Sequence, residues 1–261
     1  MTTGRGHFRG NMLTGTLVLV LLGGYALFLL DRLDPHPLKR GDAAQNFAMA
    51  FHLWQHGVHS ADIDAAQAGR RPAPDHYREP VYPFLLALGL ALGADAPASR
   101  EYACLSQGMA PCAQDFRQVH WVNVGVLATT ALVLTLAAWR LSRRGGVALG
   151  VLGLYVTHDA FHGVADNFRS ESLAALWLML LVWAVWEHWQ AAERGRGAWA
   201  VAGGVALGLL ILTKAVYLYL LYLGLAGVGV ALGLVAAESR RQVGVRALLF
   251  FLPPWCCTKR W

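Results

Sequence analysis

Long apolar runs separated by short arginine clusters constrain this chain more than any other feature. The runs are Met12 to Leu30, His120 to Trp139, Val147 to Phe161, Leu173 to Trp189, Trp199 to Thr213 and Ala215 to Ala236, with a further one opening at Ala247. At 1.5 Å per residue the first is long enough to cross a hydrocarbon core of roughly 30 Å. Hydrophobic residues make up 56% of the chain and charged residues 15%, against about 45–50% and about 25% in soluble domains. That balance excludes an ordinary soluble domain and a disordered chain, and 4 Cys in 261 residues exclude a disulfide-stapled miniprotein. The net charge of +6 would suggest nucleic acid in a soluble protein. Here the basic residues lie between apolar runs, where they orient a membrane protein instead, so no nucleic-acid partner is expected.

The charges alternate from one connection to the next. Arg5 and Arg9 precede the first run; Arg140, Arg143 and Arg144 follow the second; Arg194 and Arg196 follow the fourth; Arg240, Arg241 and Arg246 follow the sixth. Acids collect in the other connections, at Asp159, Asp166 and Glu171 and from Asp42 to Asp115. Positive charge stays on the cytoplasmic side. The N-terminus is therefore expected inside, and residues 31–119 form an extracytoplasmic loop. No small-residue cleavage site follows Leu30, so the first run reads as an uncleaved anchor. The parity requires that Val81 to Gly93, too short for a full span, be only partly embedded on the outer side. The expectation is all-α: a polytopic membrane helix bundle of about seven spans, a single membrane domain over 1–261, with surface-lying amphipathic helices in a large first outer loop. Its expected location is the inner (cytoplasmic) membrane.

Within that loop, Ala44, Phe47, Phe51 and Trp54 recur at helical spacing with Gln45, His52, Gln55 and His56 between them. This predicts an amphipathic helix at the membrane surface, ended by Gly57. Asp42 falls at its N-cap, where a carboxylate contributes about 1 kcal/mol; a catalytic base at the membrane boundary is the functional reading, and the two are compatible. Arg78-Glu79-Pro80-Val81-Tyr82-Pro83 follows, a charged pair flanked by proline at the start of an apolar helix. Proline suits a first helical turn, and an arginine there can hold a phosphate. His52 and His56, and again His158 and His162, are spaced i, i+4. Neither pair has the glutamate of the zinc-protease motif, so no cofactor is assigned and a divalent metal stays open. Cys104 and Cys112, outside the cytoplasm, are expected to form a disulfide.

Arg169-Ser170-Glu171 interrupts two apolar runs, and Lys214 is the only charge between Trp199 and Glu238. An unbroken helix there would bury the ammonium, so a helical hairpin turning at Lys214 is expected. A lysine at an outer turn either snorkels without further role or binds a lipid phosphate.

In order and spacing these elements resemble the GT-C superfamily of membrane glycosyltransferases, on the branch with aminoarabinose transferases and protein O-mannosyltransferases. The likeness runs from about Leu13 to Pro254: a first span, Gly41-Asp42 with an amphipathic helix, the Arg78 to Pro83 segment, the turn at Glu171 and the Thr213-Lys214 pair. It implies inverting transfer of a sugar from a polyprenyl-phosphate donor to a lipid, glycan or protein acceptor on the outer face. Asp42 would be the general base and Glu171 would orient the acceptor or assist it. Lys214 would stabilise the departing phosphate, and Arg78, Glu79, Tyr82 and Arg169 are candidate substrate contacts. Two departures stand out. Ala43 follows Asp42 where the family often has a second acid, and the second acidic position is Glu171 rather than aspartate. The family's members are also longer, and the last residues, Cys256 to Trp261, leave its pattern, so the chain is expected to be incomplete at its C-terminus, and such a truncation can cost activity although the parent type is an enzyme. The alternative is a transporter or flippase for a lipid-linked substrate using Arg169, Glu171 and Lys214 as a polar path; such proteins favour midplane sites in repeated halves, and no repeat is visible.

Overall fold

The computed structural model describes residues 4–33, 38, 41–75, 79–93, 102–107, 113–159, 165 and 167–234. Their regular structure is entirely helical, with no strand among the described residues. In chain order the helices are α1 (Gly4–Arg32), α2 (Asp42–His56), α3 (Ile63–Gln67), α4 (Val81–Gly93), α5 (Tyr102–Gln107), α6 (Ala113–Ser142), α7 (Gly145–Val156), α8 (Glu171–Gln190) and α9 (Glu193–Thr213). A 3-10 turn (Ala215–Tyr217) and α10 (Leu218–Leu234) follow.

Among the described residues, four stretches are long and apolar enough to cross a membrane: Thr14–Arg32, Val119–Ser142, Glu171–Gln190 and Gly195–Thr213. They coincide with four of the apolar runs in the sequence. The others are shorter. α7 has 12 residues, about 18 Å, and α4 has 13, about 20 Å. The expected last span, from Ala247, lies outside the described residues.

The chain divides into two compact units, one of residues 1–78 and 82–172, the other of residues 79–81 and 173–261. The first is organised by α1, α6 and α7. Val18, Leu22, Tyr25 and Leu29 recur at i, i+4, i+7 and i+11 along α1 and are buried against Val124, Leu127 and Ala131 of α6 and Leu152 and Tyr155 of α7. The opposite side of α1 is equally apolar but exposed, with Leu19, Val20 and Leu27 each more than 60% accessible. A helix apolar all round with only one side packed suits lipid on the other. Hydroxyls inside the α6 span are satisfied locally: Thr129, Thr130 and Thr135 donate to the carbonyls four residues back, over 2.7, 2.8 and 2.6 Å. A lipid interior demands such internal bonding. Arg117 of α6 donates to the Leu30 carbonyl near the end of α1 over 2.9 Å.

In the second unit, Leu207 and Ile211 of α9 and Leu221 of α10 form a small buried cluster, with Leu181, Tyr217 and Leu218 packed against it. Thr213 ends α9, Lys214 is extended at φ −157°, ψ 108°, and the chain resumes as the 3-10 turn and α10. The helix therefore breaks at the lone lysine, as the sequence predicts.

Candidate functional site

Gly41 sets the start of α2. Its φ of +83° is left-handed backbone that only glycine adopts without strain, and it occupies the N-cap. Asp42 is thus the first helical residue and not the cap itself, a one-residue correction to the sequence reading. The carboxylate still lies in the first turn, where the helix dipole favours negative charge by about 0.3–1 kcal/mol, and it is exposed. The other end matches expectation: Gly57, at φ +63°, closes the helix with left-handed backbone, its N–H bonded to Leu53 O.

The body of α2 is more buried than a surface-lying helix should be. It packs on α3 and α5, and Asn46, Phe47, Phe51 and His52 are all at most 5% exposed. One turn beyond Asp42, Asn46 donates through Nδ2 to the Phe168 carbonyl over 3.0 Å. The Phe168 ring, fully buried, stacks on Phe47 at 5.1 Å between centroids and lies 4.3 Å from the His120 ring. Tyr102 of α5 completes this aromatic packing at 5.8 Å from Phe47 and 5.4 Å from Phe51.

A second tie holds the same segment from α6. Asn123, fully buried, donates from Nδ2 to the Ala165 and Asn167 carbonyls over 3.3 and 2.8 Å, and its Oδ1 accepts from the Tyr82 hydroxyl at 2.6 Å. Burial pushes the Tyr82 phenol far above its ordinary range; the Asn123 bond opposes that, and the nearby Glu171 carboxylate adds to it. Asn46, Asn123 and Tyr82 together fix the backbone just before Arg169-Ser170-Glu171. Arg169 and Glu171 are themselves exposed, while Ser172 is buried. The first unit therefore gathers Asp42, one helical turn from Asn46, and Glu171, three residues from Phe168, onto one shared framework.

The second unit holds Glu79 and Lys214, both half-buried. Glu79 accepts the Ala215 N–H through Oε1 at 2.7 Å. Arg78 lies outside the described residues. So do Asp166, His162 and Cys112. Cys104 is buried and disulfide-bonded.

The loop histidines have structural duties. His52 Nε2 meets the Asp62 carbonyl at 2.9 Å, and His59 Nδ1 meets the Asp75 carbonyl at 2.9 Å. A carbonyl only accepts, so each of these ring nitrogens carries the proton. Asp75 in turn accepts from Ser60 Oγ at 3.1 Å and from the Ala61 N–H at 2.8 Å. Burial lowers the His52 pKa. No group of three or more His, Cys, Asp or Glu placed to hold a metal occurs among the described residues.

Between α8 and α9 an open groove of about 380 Å³ is lined by Trp177, Trp183, Trp199, Leu180 and Val205. No titratable side chain lines it.

Asn46, Asn123 and Phe168 were not singled out from the sequence. An asparagine inside an apolar run, as at Asn123, was the one available signal: a buried amide needs several partners. Among the described residues the fold is all-helical, and its four helices of spanning length suggest a membrane protein. The chain matches no protein-family model, no curated protein and no solved structure.

Proposed function

We propose that this chain is a membrane glycosyltransferase of the GT-C kind, moving a sugar from a polyprenyl-phosphate donor to a hydroxyl of a lipid, glycan or protein acceptor with inversion. Asp42 takes the proton from the acceptor hydroxyl as its oxygen bonds to the anomeric carbon and the bond to the donor phosphate breaks. Lys214 stabilises the charge that collects on the departing lipid phosphate. Glu171 orients the acceptor, Arg169 and Arg78 offer phosphate contacts, and Tyr82 holds the Glu171 turn from beneath through Asn123. The active site faces the outer side of the inner membrane, with the N-terminus inside. Of the helices, α7 and α10 make further passages in a bundle of about seven, α7 aided by local thinning or by neighbours.

The observation that carries this reading is the 3.0 Å bond from Asn46 to the Phe168 carbonyl. It ties the helix that begins at Asp42 to the turn that carries Glu171, 122 positions away along the chain from Asn46 to Phe168. An exposed carboxylate at the start of one helix and another at the next segment of the same framework suit proton transfer at an interface.

The test is transfer of labelled sugar from a polyprenyl-phosphate donor by membranes containing the protein. Asp42→Asn is expected to lower the rate by about 10²–10⁴-fold and Lys214→Ala by about 10²–10³-fold. Transfer that survives Asp42→Asn at the parent rate rejects Asp42 as base. Labelled lipid moving between leaflets without sugar transfer favours the flippase.

A further inference from the structure

Lys214 sits where a helix stops, and a flexible backbone at that point would leave its ammonium poorly placed. Three hydrogen bonds to the backbone there prevent this. The Lys214 N–H is bonded to Leu210 O at 2.9 Å, and the Lys214 carbonyl accepts the Tyr217 N–H at 3.1 Å. The third comes from far along the sequence: the Ala215 N–H donates to Glu79 Oε1 at 2.7 Å, across 136 positions. Residues 79–81 belong to the same compact unit as Lys214, although the chain on both sides of them belongs to the other. Pro80, directly after Glu79, restricts Glu79 to extended backbone. The carboxylate thus comes from a stiff segment and bonds one of the amides that a 3-10 turn cannot satisfy within itself.

We propose that Glu79 is a positioning residue: it fixes the turn at Lys214, and through the turn the ammonium, for contact with a phosphate monoester or diester at the membrane surface. The phosphate part rests on the proposed sugar-transfer reading; the anchoring part does not. Glu79 works here as a hydrogen-bond acceptor for a backbone amide. A glutamine keeps the acceptor and removes the charge, whereas an alanine removes both.

The experiment compares Glu79→Ala and Glu79→Gln with the parent protein in lipid nanodiscs, with two readouts. Amide hydrogen exchange over residues 210–220 reports the turn, and peptides from α6 report the fold. Binding of decaprenyl monophosphate, with Lys214→Ala as a control, reports the phosphate. Glu79→Ala is expected to speed exchange at Ala215 at least tenfold with α6 unchanged, and to weaken phosphate binding several-fold. Glu79→Gln is expected to stay within threefold of the parent in both. Unchanged exchange at Ala215 in Glu79→Ala overturns the proposal. So does binding lost equally in Glu79→Gln and Glu79→Ala, which would make the charge and not the anchor responsible. Faster exchange in Glu79→Ala, with phosphate binding absent or indifferent to Lys214→Ala, upholds the anchor and rejects the lipid-phosphate role of Lys214.

Discussion

Tyr82 and Asn123 meet through a 2.6 Å hydrogen bond, both side chains fully buried, and that contact supports the turn leading to Glu171. The Asn123 amide spends its other end on the Ala165 and Asn167 carbonyls. One asparagine therefore links α4, α6 and the segment before α8 within the first unit.

Removing the Tyr82 hydroxyl leaves Asn123 Oδ1 buried without that donor. Tyr82→Phe is expected to destabilise by about 1–3 kcal/mol. Asn123→Leu, which strips partners from two carbonyls as well as from the phenol, is expected to cost more. Thermal unfolding in detergent checks both. Equal stability of Tyr82→Phe and the parent would mean that the bond contributes nothing.

α4 and α6 approach closely at Gly89. A methyl group added there would lie 2.7 Å from Val122 Cγ2. Valine cannot swing away cheaply because its branched β-carbon restricts χ1, so Gly89→Ala is expected to cost about 1–3 kcal/mol by overpacking. Val122→Ala in the same chain should restore much of the loss, with a coupling of about 0.5–3 kcal/mol. A double mutant whose loss is the sum of the two singles would deny the contact.

His52 is expected to make stability depend on pH. It is fully buried, with Nε2–H on the Asp62 carbonyl and Nδ1 without a hydrogen-bond partner among the described residues. Its pKa falls below the ordinary value, first because of burial and then because of His56; the Asp62 backbone bond and the Asp62 and Asp75 charges oppose the fall. The unfolded chain therefore takes up a proton at a higher pH than the folded one. The contribution of His52 is fully present above the unfolded value, about 6.5, and is lost as the pH drops toward the lowered folded value. Denaturation midpoints measured from about pH 7 to about pH 5 should fall for the parent and fall less for His52→Gln. Identical slopes would remove His52 from the account.

Features set by local chemistry were legible in the sequence. Gly57 ends α2 because a left-handed residue closes a helix, α4 spans Val81 to Gly93, and the lone Lys214 breaks the chain between α9 and α10. The start of α2 was displaced by one residue because Gly41 took the cap. The framework of the candidate site was not legible. Asn46 and Asn123 are unremarkable polar residues until Phe168 and Asn167, more than 40 positions from either, present their carbonyls. The depth of α2 was missed for a related reason: helical spacing identifies an apolar stripe, but α3, α5 and Phe168 decide how much of the remainder is covered. His52 read as part of a wet face and is fully enclosed.

The proposed mechanism requires Asp42 and Lys214 to serve one reaction on one side of the bilayer. Asp42→Cys and Lys214→Cys, each introduced singly, can be labelled in sealed right-side-out vesicles with a membrane-impermeant maleimide, the parent's own cysteines providing the background. Both positions are predicted to label before the vesicles are opened. Labelling of one position only after permeabilisation would put the carboxylate and the ammonium on opposite faces and contradict the account.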